Sequence, residues 1–190
     1  MKESNMSRRR FLLSSLAGFG AVAASGAASA LPASRTKEYA SHEDACNEAW
    51  RLIEEAGACR AIVSGRAIVS VEHGRGVGPL MRLMASNPSL LDGTVMVDSV
   101  VGRAAAAIAV KCGVKKVLAR TASEGAKSVL ARGGVALEAK VVVPGIMNRD
   151  LTGACPVEAA TAGLESPDEI IAATARTLDA LRNSAKAGVS

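Results

Sequence analysis

The chain has 190 residues, a formal net charge of +5, 49% hydrophobic residues and few aromatics: one Trp, one Tyr and two Phe. Residues 1–30 carry +3 of that charge, and the remainder shows neither a basic stripe nor interleaved aromatics, which excludes a nucleic-acid polymer as the expected partner. The roughly 160 residues that follow suffice for one domain burying about 68–70% of its unfolded surface.

In chain order, Ser7-Arg8-Arg9-Arg10-Phe11-Leu12 leads into an apolar run from Phe11 to Ala24 and a small-x-small pattern at Ala28-Ser29-Ala30. The run is shorter and weaker than the ~20 strongly apolar residues of a membrane span. Residues 1–30 resemble a twin-arginine signal peptide, in which Ser-Arg-Arg-x-Phe-Leu is the recognition motif. That resemblance implies a handover to the twin-arginine translocation machinery, export of an already folded protein, and a periplasmic or other extracytoplasmic location.

Residues 31–40 read as a polar linker, and the domain is expected over 41–185. Ser41-x-x-Asp44 has capping-box spacing, and Ala45, Cys46, Ala49, Trp50, Ile53 and Ala56 form a helical stripe that Gly57 stops. Arg60-Ala61-Ile62-Val63-Ser64 is echoed by Arg66-Ala67-Ile68-Val69-Ser70, a pair of β-branched runs that predicts a hairpin turning at Ser64-Gly65. Gly78-Pro79 opens a second helix, which ends at Asn87-Pro88. A buried strand is expected at 94–98, a turn at Ser99, and an Ala-rich helix over 100–112. Lys116 to Arg120 reads as the next strand, with Thr121-x-x-Glu124 capping a helix to Arg132 and Gly133-Gly134 ending it. A last strand is expected at 136–143, an irregular polar segment at 148–158, and a capping box at Ser166-Pro167-Asp168-Glu169 opening a C-terminal helix to about Arg182. A hairpin followed by helix–strand crossovers predicts an α/β fold: a mixed five-stranded sheet with helices on both faces and an extra C-terminal helix.

Four cysteines, Cys46, Cys59, Cys112 and Cys155, form no CxxC pair, so neither a zinc ribbon nor a thioredoxin-type site is signalled. Cys46, Cys59 and Cys112 fall on regular elements and read as small core residues.

Four segments carry a further resemblance: Gly76-Val77-Gly78-Pro79-Leu80, the run from Asp98 through Gly102-Arg103 to Ala106, Ser123-Glu124-x-Ala126, and Asn148-Arg149-Asp150-x-x-Gly153-x-Cys155-Pro156-x-Glu158. Together they resemble the small prokaryotic family called domain of unknown function 1893, across roughly residues 42 to 182. The resemblance implies a cytidine-deaminase-like three-layer α/β/α fold. Ser99 and Arg103 stand where the family's pattern has lysines, so no lysine chemistry carries over. A zinc deaminase draws three His or Cys ligands and a proton-shuttling Glu from the starts of two helices. Here those starts are Gly78-Pro79-Leu80 and Ser99 to Gly102, without a His or Cys. Zinc-dependent deamination is therefore not expected, and neither a metal ligand nor a cofactor is assigned.

Asp98 and Cys155 are the candidate catalytic pair, one ending a buried strand before a helix, the other in a loop beside an arginine. Gly76 and Gly78, within a G-x-G-x-G run, and Ser99, Arg103, Asn148 and Arg149 are the candidate ligand-binding residues. Each has a structural reading as well: a helix cap for Asp98 or Ser99, a solvated side chain for Arg103, a passive or disulfide-bonded thiol for Cys155, tight turns for the glycines, loop anchors for Asn148 and Arg149. Three readings of the whole stay open: a metal-independent enzyme acting on a small anionic or nucleotide-like ligand, a non-catalytic binding or sensing domain, and a structural partner in a homo-oligomer.

Overall fold

Local chemistry starts and stops the elements of the computed structural model, which describes residues 37–148 and 150–187. The signal-peptide reading of residues 1–30 and the role of Arg149 lie outside the described residues. Ser41 caps α1 (His42–Glu55) by accepting the Asp44 amide at 3.0 Å, and Gly57, at φ +70°, turns the chain out of it. The echoed pentads become β1 (Arg60–Ser64) and β2 (Ala67–Glu72), paired antiparallel. Ser64 still pairs with Ala67, so the two turn residues are Gly65 and Arg66, one position beyond the expected turn. After α2 (Gly78–Ser86) a 3-10 turn at Pro88–Leu91 leads into β3 (Val95–Val101).

β3 runs three residues past its expected end, and that changes the start of α3. Val100 and Val101 pair with Thr121 and Ala122, so Ser99 lies within the strand and the N-cap is Gly102, ahead of α3 (Arg103–Lys111). β4 (Lys116–Ser123) is extended in the same way by pairing with β5 (Ala136–Val143). The cap of α4 (Glu124–Arg132) is consequently Ser123, which accepts the Ala126 amide at 3.0 Å, rather than Thr121. Within the expected irregular segment lies a short helix, α5 (Pro156–Ala160). The last helix, α6 (Pro167–Ala187), continues five residues beyond its expected end.

Strand order is β2-β1-β3-β4-β5; β1 is antiparallel to both neighbours, and β3, β4 and β5 run parallel. Strand alternation divides the core between two faces. Ala61, Val63, Val97 and Leu118 pack toward α1. Ile62, Met96, Val117 and Ala119 pack toward α2, α3, α4 and α6. The result is the expected mixed five-stranded sheet between helical layers. Alanine makes the second layer dense: Ala104 to Ala107 and Ala109 of α3 are all buried, which lets that helix lie close to the sheet, α4 and α6. All four cysteines are free thiols, with Cys46 buried and Cys59 and Cys112 half-buried. Among the described residues no helix is long and apolar enough to cross a membrane.

Gly133 is needed for the α3–α4 contact, because a Cβ there would run into the Val110 side chain, whereas one at Gly145 would meet nothing within 4 Å. Gly133→Ala should therefore cost about 1–3 kcal/mol by overpacking. Gly145→Ala should stay within about 0.5 kcal/mol of the parent. Urea unfolding of the two variants checks the contrast.

Candidate functional site

An apolar strand that opens on arginine has to hide a guanidinium. Arg60 begins β1, and the sheet register sets it between Glu72 of β2 and Asp98 of β3. By strand alternation all three belong to the face of Ile62 and Met96, under α2 and α3, and all three are buried. Arg60 Nε donates to Asp98 Oδ2 at 2.6 Å, and Nη2 reaches the same oxygen. The other carboxylate oxygen accepts the Val100 amide at 3.0 Å. Burial pushes the Asp98 carboxyl above its ordinary range, while the positive charge of Arg60 pulls the other way. Glu72 accepts from the Ser70 hydroxyl at 2.9 Å.

One atom of this cluster is left over. Arg60 Nη1 is buried and makes no hydrogen bond among the described residues, a cost of about 1–3 kcal/mol or more for a charged group. Arg60 is also part of the wall of a cavity of about 500 Å³ near the carboxyl end of β3. Ligands of open α/β sheets sit at such strand ends. Gly76 to Gly78 at the start of α2, Gly102 and Ala105 at the start of α3, Ile146 to Asn148, Cys155 to Glu158, and Leu178 and Leu181 of α6 complete the walls, with Arg75 exposed among them. No side chain caps the first turn of α2.

The cavity brings together four of the expected site residues: Gly76, Gly78, Asn148 and Cys155. Asn148 is at the same time a loop anchor: its Oδ1 accepts the Thr152 and Gly153 amides at 3.0 and 3.3 Å, and its Nδ2 donates to the Thr152 hydroxyl at 3.0 Å. Asp98 does not line the cavity and reaches it only through Arg60. Ser99 lies off it too, its hydroxyl donating to the Cys59 carbonyl at 3.3 Å.

Arg103 holds the loop between α5 and α6 instead of facing the cavity. Its Nε donates to the Thr161 carbonyl at 2.7 Å, and Nη2 donates to the Leu164 carbonyl. The positive end of α3 is met by Glu158, whose Oε2 accepts the Arg103 amide at 2.9 Å. Gly102 leaves room for that carboxylate, since a Cβ there would collide with Glu158 Oε2.

Arg60, Glu72 and the capping role of Glu158 escaped the sequence reading. Two signals were present for the first: a charged residue opens a strand that is otherwise apolar, and an acid interrupts the apolar strand at Asp98. Only the antiparallel register puts the two opposite each other.

The donor set at the cavity does not fit a zinc ion. Cys155 is its single thiol and no histidine lines it. Among the described residues no three His, Cys, Asp or Glu side chains are grouped so as to hold a metal.

Comparison with known proteins gives one family. The model described as Domain of unknown function (DUF1893) matches residues 48–177. The crystal structure of a DUF1893 family protein from Thermotoga maritima is similar at 22% identity, covering 71% of this chain and 90% of that one, with a TM-score of 0.62. At that identity the likeness is one of fold. No curated protein matches the chain.

If the Arg60–Asp98 pair is held as described, removing one partner strands the other. Asp98→Ala should destabilise the protein by about 3–5 kcal/mol, whereas Arg60→Met/Asp98→Leu, which leaves Glu72 as the one charged member of the cluster, should lose markedly less. Chemical denaturation of both variants tests this, and equal losses would contradict it.

Proposed function

The chain belongs to the domain of unknown function 1893 family, and on that premise we propose that it binds a small anion in the cavity beside Arg60. The observation that carries this reading is the buried guanidinium of a cavity-lining residue, Arg60, whose Nη1 has no partner among the described residues. A buried donor without a partner calls for an acceptor from outside the chain, and a carboxylate or phosphate oxygen supplies one with a charge-assisted bond. Arg75 and the uncapped start of α2 add positive potential at the same cavity.

Binding or sensing is favoured over turnover. Cys155 lines the cavity, but its expected partner Asp98 has both carboxylate oxygens engaged, by Arg60 and by the Val100 amide. A general base has to lie within hydrogen-bond reach of the proton it takes, and Asp98 is separated from the cavity by its arginine. The order of elements and the sheet order β2-β1-β3-β4-β5 support a cytidine-deaminase-like scaffold, here with an anion anchor in place of metal ligands. The signal-peptide pattern of residues 1–30 supports delivery across the membrane in folded form, with the ligand met outside the cytoplasm.

Acetate and phosphate serve as first probes. Ligand at about 100 times its Kd should stabilise the native state by about 2.7 kcal/mol, which raises Tm by roughly 5–10 °C for a domain of this size. The same ligand should slow the labelling of Cys155 by iodoacetamide. Neither effect should occur in Arg60→Met/Asp98→Leu. An unchanged Tm in the parent at saturating probe, or the same shift in the double variant, would refute the reading.

A further inference from the structure

The chemistry of the cavity walls narrows the ligand class, an inference that rests on the anion reading above. Besides Arg60, the exposed Arg75 and a few polar groups, the enclosing surface is hydrocarbon: Val77 beside α2, Val100 of β3, Ile146 and Met147 of the following loop, and Leu178 and Leu181 of α6. Among the described residues no aromatic side chain lines it, so a nucleobase would find no stacking platform there. Two of the polar side chains that reach it, Asn148 and Glu158, already have partners within the chain. Asn148 Oδ1 takes two backbone amides and its Nδ2 serves Thr152, while Glu158 caps α3. A sugar or a polyol would have to leave its hydroxyls unpaired against aliphatic walls, at a cost no other group offsets. What remains is a mainly apolar chamber with a buried cation, Arg60, inside and an exposed one, Arg75, among its walls. We infer that the ligand is an amphiphilic organic acid: a single carboxylate for Arg60 Nη1, carrying an unbranched or lightly branched aliphatic body that lies against Val77, Val100, Ile146 and Leu178.

Size is consistent with that class. A cavity of about 500 Å³ lies within the ~300–1,000 Å³ span of small-molecule sites, well beyond what a bare carboxylate or phosphate fills. Leu181 forms the outer part of the wall and is 45% exposed, so the body of the ligand extends from a buried head toward the surface of α6.

Isothermal titration of the full chain with acetate, butyrate, hexanoate, octanoate, 1-octanol and adenosine monophosphate tests the inference. Kd should fall about fourfold for each methylene buried along the acid series, octanoate should bind far more tightly than 1-octanol, and adenosine monophosphate should bind more weakly than octanoate. Leu181→Glu should remove the chain-length gain, because it sets a charged side chain where the aliphatic body of the ligand lies. Equal affinity for acetate and octanoate, or tighter binding of adenosine monophosphate, would overturn the organic-acid inference and leave the anion pocket standing. Equal affinity for 1-octanol and octanoate, or no binding by any probe, would overturn the anion pocket itself. Octanoate binding unaffected by Leu181→Glu would place the ligand elsewhere and overturn the inference.

Discussion

A guanidinium buried to 2% exposure in a sheet core is the constraint around which the rest of this structure is arranged. Desolvating a charge costs several kcal/mol, so its surroundings must return that energy through close, well-directed partners. The sheet does so by register: an antiparallel β1 puts Arg60 opposite Asp98, its ion-pair partner, and on the other side opposite Glu72, which is held by the Ser70 hydroxyl. Asp98 is in turn fixed by the Val100 amide. Pairing of Val100 and Val101 with β4 carries the strand on past this bond, so that α3 begins only at Arg103. The pair joins the hairpin to the parallel part of the sheet and leaves one nitrogen of a cavity-lining arginine without a partner among the described residues.

The walls of that cavity are held by contacts of a different kind. Glu158 accepts the first amide of α3, and the Arg103 side chain holds the carbonyls of Thr161 and Leu164. Through these bonds α5 and the start of α6 are tied to the end of the sheet. A helix start that elsewhere would be open to an anion is filled from within the chain at α3, whereas α2 has no such cap. The positive ends of the two helices thus have different fates: that of α3 is met by Glu158, and that of α2 is left without a side-chain cap beside Gly78. Arg103, a cation at a helix N-terminus and so unfavourable there by a few tenths of a kcal/mol, is reconciled with the dipole by turning away from it while Glu158 takes its place.

Much of the fold was legible because its elements carry local signals. Ser41 and Gly57 bracket α1, Gly133 closes α4, and the run from Ala136 to Val143 reads as a strand from alternation and flanking glycines. The misplaced boundaries share a cause. Ser99 and Thr121 have the side chains of caps, and nothing local says that Val100 and Ala122 will be held in strands by partners on β4 and β5. Tertiary pairing outweighed capping propensity at both places. The site was legible only in part for the same reason. Gly76, Gly78, Asn148 and Cys155 belong to motifs and do line the cavity, but Arg60 has no motif. Its role arises from a register between strands 38 residues apart in sequence, which no pattern along the chain encodes.

The central claim is that Arg60 Nη1 is held without a protein partner so that a ligand oxygen can take that place. Side-chain 15N NMR of the arginine guanidinium groups in the full chain, recorded while octanoate is titrated, addresses that atom itself. The account predicts that the Arg60 Nη resonance shifts in proportion to octanoate occupancy and that its proton exchange slows as the new hydrogen bond forms. Saturation with octanoate that leaves this resonance unmoved would contradict it.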